Sequence, residues 1–170
     1  WEGRYTYQQP EKGWIKGSFN DSTWKKGVAA FGTPETGFTL TPWTTEHIWV
    51  RRNIFIDKLP ENKLYLIFSH DDDFELYLNG KEIVNTGQSA NSNVVIEINP
   101  DWLLEGEENV FAAHCWDRGG LSYLDFGIYS DSDQSEGFPN LAIQTGVDFS
   151  ATQTFYQFDC GPVSLNLSFM

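Results

Sequence analysis

Strand-like patterns of hydrophobic and polar positions are dense from Trp49 to Tyr129. Trp49 to Ile56 (WVRRNIFI) reads as a strand with one buried face. Lys63 to Ser69 (KLYLIFS) is apolar on both faces, Leu64, Leu66 and Phe68 against Tyr65 and Ile67, and predicts a central strand. Phe74, Leu76 and Leu78 share the next face. Asn79-Gly80 follows, the dipeptide that favours a type I′ turn, and Lys81 to Val84 returns as the second arm of a hairpin. Val94, Ile96 and Ile98 point inward from Asn93 to Ile98. Asn99-Pro100-Asp101-Trp102-Leu103-Leu104 then predicts one helical turn, with Asn99 as N-cap and Pro100 at the first position. Val110 to Trp116 and Tyr123 to Tyr129 complete the series. Short strands, frequent turns and almost no helix predict an all-β sandwich.

The pattern changes near residue 130. Residues 131–140 read as a polar linker, and no Lys or Arg follows Arg118. Residues 141–170 return to strand patterning: Ala142 to Phe149, Thr152 to Phe158, a turn at Asp159-Cys160-Gly161-Pro162, and a last strand in which Val163, Leu165, Leu167 and Phe169 share a face. Three strands do not form a domain by themselves, so this stretch is expected to be the start of a truncated β-domain. Both termini fall inside patterned segments, and the chain is expected to be a fragment of a longer one.

Composition narrows the function classes. A formal net charge of −13 argues against nucleic acid and anionic membrane surfaces as partners. Seven Trp, seven Tyr and thirteen Phe fit either a ring-rich core or a stacking platform for sugars. Two cysteines, Cys115 and Cys160, are too few for a disulfide scaffold, and Cys115 reads as a core thiol. His114-Cys115 resembles a catalytic pair only in sequence, because neighbouring strand residues face opposite ways. No GxSxG, HExxH, P-loop or dinucleotide fingerprint occurs, so no catalytic residue is assigned.

Two resemblances add to this reading. Gly13-Trp14, Phe19-Asn20-Asp21-Ser22-Thr23-Trp24, Phe31-Gly32, Trp43, Ile48-Trp49-Val50-Arg51-Arg52, His70-Asp71-Asp72-Asp73, Tyr77-Leu78-Asn79-Gly80 and Asn109-Val110-Phe111-Ala112-Ala113-His114 resemble, in order and spacing, the galactose-binding-like jelly rolls attached to many glycoside hydrolases and other secreted enzymes. This implies a jelly-roll module over residues 1–130. Gln144-Thr145-Gly146-Val147, Ala151 to Phe158 and Gly161-Pro162-Val163-Ser164-Leu165 resemble an early β-region of the glutaminase A family. That likeness implies a secreted or periplasmic parent that hydrolyses the side-chain amide of glutamine. Its catalytic residues would lie in a helical domain beyond residue 170, the expected partner of this fragment. The alternative is a carbohydrate-binding module of a glycoside hydrolase.

Candidate binding residues are Trp43, Arg51, Trp116 and Tyr123: rings for the apolar face of a pyranose and a cation for its polar groups. One of Arg51 and Arg52 is expected to pair with the acidic cluster and the other to lie on an exposed face beside Trp49 or Trp43, with ion pairing within the sandwich the preferred reading. Asp71, Asp72 and Asp73 are the metal candidates, since related jelly rolls often carry a structural Ca²⁺. Loop ordering is the preferred reading, because strand alternation cannot aim three successive carboxylates at one ion.

Overall fold

Alternation of apolar side chains produces two antiparallel-dominated sheets facing each other across one core. The computed structural model describes residues 1–61, 63–131, 139–140, 159–160 and 163–164. The strands are β1 (Glu2–Thr6), β2 (Lys25–Val28), β3 (Phe31–Gly32), β4 (Thr41–Pro42), β5 (His47–Ile56), β6 (Leu64–Asp71), β7 (Asp73–Leu78), β8 (Lys81–Asn85), β9 (Asn91–Ile98), β10 (Glu107–Trp116), β11 (Tyr123–Asp131), β12 (Pro139–Asn140), β13 (Asp159–Cys160) and β14 (Val163–Ser164). The first sheet runs β2-β1-β5-β10-β7-β8 and the second β4-β3-β11-β6-β9, with β12 on β11. From β5 onward the chain crosses repeatedly between sheets, the winding of a jelly-roll sandwich.

Inward residues form a single cluster that includes Ile48, Val50 and Ile54 of β5, Leu66 and Phe68 of β6, Phe74 and Leu76 of β7, Phe111 and Ala113 of β10, and Leu124 and Phe126 of β11. The predicted strand starts and ends agree within a few residues, and β6 has partners on both sides. The β7–β8 hairpin turns on Asn79 and Gly80, whose φ values of 51° and 85° are those a type I′ turn requires. Asn99 caps a single 3₁₀ turn by accepting from the Asp101 amide at 2.9 Å.

Asn79 does more than turn the chain. Its side chain donates to Asn109 Oδ1 at 2.8 Å and to the Trp102 carbonyl, and accepts from the Val110 amide. Asn109, fully buried, also satisfies both backbone groups of Leu104. Two asparagines thus pin the 3₁₀ connection to the hairpin, which satisfies polar groups that burial would otherwise leave costly. Of the final stretch, Asp159 and Cys160 pair with Ser164 and Val163. The expected strands Ala142 to Phe149 and Thr152 to Phe158 lie outside the described residues, as does the shared face of Leu165, Leu167 and Phe169.

Candidate functional site

Register sets which side chains meet on the outer face of the first sheet. Across β5, β10 and β7 the pairs His47–Trp116–Asp73 form one row and Trp49–His114–Glu75 the next. A third row runs Arg4–Arg51–Ala112–Tyr77. Period-two alternation places all of these residues on the side of the sheet away from the core.

The first two rows form a ring array. Trp49 and His114 stack at 4.7 Å with 7° between planes, and His47 stacks on Trp49 and on Trp116, each at 5.3 Å. His47 Nδ1 and His114 Nε2 lie 3.0 Å apart, so one donates to the other. His114 Nδ1 sits 3.6 Å from Glu75, which accepts from the Tyr77 hydroxyl at 3.1 Å. Burial holds the His114 imidazole below its ordinary range, opposed by Glu75 and reinforced by His47. The Tyr77 phenol is pushed up by burial and by Glu75 and Glu82. At the end of the array Arg118 lies over the Trp116 ring at 3.6 Å and pairs with Asp73 at 2.6 Å. Its guanidinium holds the Asp73 carboxyl below the usual carboxylate range.

The third row anchors a loop. Arg51, only 2% exposed, donates to Asp21 at 2.7 Å and to the backbone carbonyls of Trp14 and Lys16. Arg4 approaches the same carboxylate at 3.4 Å and donates to the carbonyls of Ser22 and Trp24. Residues 8–24 are thereby folded onto the sheet, with Trp14 edge-on to Tyr77 at 5.7 Å. A crevice of about 810 Å³ opens between this loop and the end of β1.

The four predicted binding residues do not converge. Trp43 is fully buried in the core, with no hydrogen-bond partner for its Nε1 among the described residues. Arg51 is consumed by the loop anchor. Trp116 stands on the outer face of the first sheet, but Arg118 and His47 occupy its ring. Tyr123 belongs to the second sheet and pairs with Gly32 and Asp71. A sugar-stacking face built from these four is therefore corrected: a pyranose needs an open ring face, and those of Trp43 and Trp116 are already covered.

The arginine expectation is also corrected. Arg51 pairs with Asp21, not with the acidic cluster. Arg52 is buried, not exposed, and lies over the Trp1 ring at 4.9 Å. The partner of the acidic cluster is Arg118, which sequence reasoning passed over because 45 residues separate it from Asp73. Asp72 accepts from the Arg118 amide at 2.8 Å, and burial raises the Asp71 carboxyl. These three residues do not make a Ca²⁺ site as they stand: the Arg118 side chain pairs with Asp73 and its backbone amide donates to Asp72. No group of three or more His, Cys, Asp or Glu among the described residues is placed to hold a metal ion.

His114 and Cys115 take opposite faces, as alternation requires. Cys115 is a free, buried thiol whose ionisation burial pushes far up, so it offers no nucleophile. His70 is inside, stacked on Phe74 at 5.2 Å, with Nδ1 donating to the Asp72 carbonyl. Burial lowers its basicity.

No family model matches the chain, and no curated protein matches it. Solved structures do. A glycosyl hydrolase family 2 member from Bacteroides cellulosilyticus is 16% identical with a TM-score of 0.51, over 76% of this chain and 20% of its own. Bacteroides uniformis beta-glucuronidase 2 is 13% identical with a TM-score of 0.55, over 76% of this chain and 17% of its own. A beta-glycosidase from Bacteroides vulgatus is 17% identical with a TM-score of 0.51, over 76% and 20%. The chain thus spans a fifth or less of these three proteins. At such identities the likeness is one of fold.

These matches overturn the glutaminase A resemblance: the structures this sandwich matches are family 2 glycosidases, and no family model supports a glutaminase. The short motifs that carried the resemblance fall almost wholly outside the described residues. Alternating strand segments of that kind recur across unrelated β-proteins, and a shared sandwich does not fix chemistry.

Proposed function

We propose that the chain is a non-catalytic β-sandwich module of a glycoside hydrolase, with glycosidic-bond chemistry carried elsewhere in its parent. The observation that carries the reading is the fold likeness: three quarters of this chain matches a fifth or less of family 2 glycosidases. A second feature favours a module that packs against a larger body. Phe38, Leu40 and Leu121 are 70%, 58% and 53% exposed on two loops joined by Thr33–Ser122 hydrogen bonds. Exposed apolar side chains on adjoining loops favour burial against another surface. On this reading residues 1–130 are the module, and the parent is secreted or periplasmic.

The test is to express the full-length parent, the parent lacking residues 1–130, and this chain alone. Each is assayed on nitrophenyl β-glycosides, glucuronide included. Hydrolysis by the parent and none by this chain is expected. A parent that cleaves no glycoside, or a fragment that cleaves one by itself, overturns the proposal.

A further inference from the structure

The crevice beside loop 8–24 has a mixed lining of amides, ammonium groups and rings. Gln8 and Asn20 offer amides, Lys12 and Lys16 ammonium groups, and Phe19 and Trp24 apolar rings packed edge to face at 5.8 Å. Its volume of about 810 Å³ lies within the roughly 300–1,000 Å³ typical of small-ligand sites. Amides and hydroxyl-bonding groups beside half-buried rings suit a polyol with apolar ring faces, not a lipid.

Charge sharpens the class. The chain carries −13, yet residues 1–28 hold five Lys or Arg against three Asp or Glu. The acids of this segment are largely spoken for: Asp21 by Arg4 and Arg51, and Glu2 by Lys26 at 3.3 Å. Lys25 lies over the Tyr7 ring. Lys12 and Lys16 are exposed on the crevice and form no ion pair among the described residues. Glu11 shares the lining, leaving an excess of one positive charge. Arg4 and Arg51 do not line the crevice, so an anion there meets the ammonium groups. One ammonium excess is matched by one carboxylate.

We propose that this crevice binds an acidic oligosaccharide, a pyranose chain bearing carboxylates, with Lys12 and Lys16 pairing the carboxylate and Trp24 contacting a ring face. The site stands on this chain's own residues, so it holds or fails separately from the glycosidase reading of the parent. The experiment titrates the 170-residue chain with tetragalacturonate at low salt, following amide and indole NMR shifts, beside cellotetraose and tetraglutamate. Saturable shifts confined to loop 8–24 and Trp24 are expected with tetragalacturonate. The double variant Lys12→Glu/Lys16→Glu changes two exposed residues and keeps the wild-type melting midpoint. It is expected to weaken binding by about tenfold or more. Three results overturn the inference: no saturable shift, affinity that survives the double charge reversal, or equal affinity for cellotetraose or tetraglutamate.

Discussion

The outer face of the first sheet is closed in two different ways. Over Arg51 it is closed by a buried cation that ties down the loop of residues 8–24; over Trp49 it is closed by rings stacked on rings, edged by an exposed cation. Arg51 and Arg118 each bind one aspartate at close range, 2.7 and 2.6 Å, yet their surroundings differ sharply. Around Arg51 water is excluded and two backbone carbonyls depend on the same guanidinium. Around Arg118 water reaches the pair and screens it. Distance alone therefore does not rank the two contacts; desolvation does.

The largest effect should come from removing the buried cation. Arg51→Ala leaves two carbonyls without their donor and Asp21 with only the 3.4 Å contact of Arg4, and is expected to cost about 4 kcal/mol in denaturant unfolding. It should also release residues 8–24 to rapid amide exchange. A loss below about 1 kcal/mol would mean that the loop is held by its own contacts, and the contrast between the two halves would break. Trp49→Ala opens the ring array instead. About 3 kcal/mol is expected, the low end for a large aromatic, because one side of the site lies near solvent. The unfolding midpoint measured at two wavelengths checks that the transition stays two-state.

Acid should weaken the sandwich through His114 of the ring array and His70 of the core. His114 and His70 both titrate below the ordinary value of 6.5 in the folded chain, chiefly through burial. The unfolded chain thus takes up protons near pH 6.5 that the folded chain refuses. Stability contributed by the neutral rings is present above that pH and falls as pH drops below it. Unfolding free energy measured from pH 8 to 5 should decline, and His114→Gln should flatten the decline. A profile that rises towards pH 5 would contradict the stacked, neutral imidazoles. The smallest effect belongs to Arg118→Ala. It should leave the melting midpoint unchanged within error while altering Trp116 fluorescence, because the lost contact is screened by water.

What could be read from the sequence followed wherever local chemistry decides. Strand periods, the Asn79-Gly80 turn, the Asn99 cap, and the opposite faces of His114 and Cys115 need only dihedral preferences and alternation. Those constraints act between near neighbours and survive in any fold. The sandwich class followed from their sum. Pairing between distant residues was not legible. Arg51 and Arg52 were visible as a pair, but nothing local says that Asp21 takes one and Trp1 stacks on the other. Trp43 and Trp116 look alike along the chain, and burial separates them. Their environments arise from strand order and register, which join residues 30 to 120 positions apart through the free energy of burying one common core. The crevice of loop 8–24 belongs to the same class: its lysines and rings are written in the sequence, but only the Arg51 anchor brings them around one space.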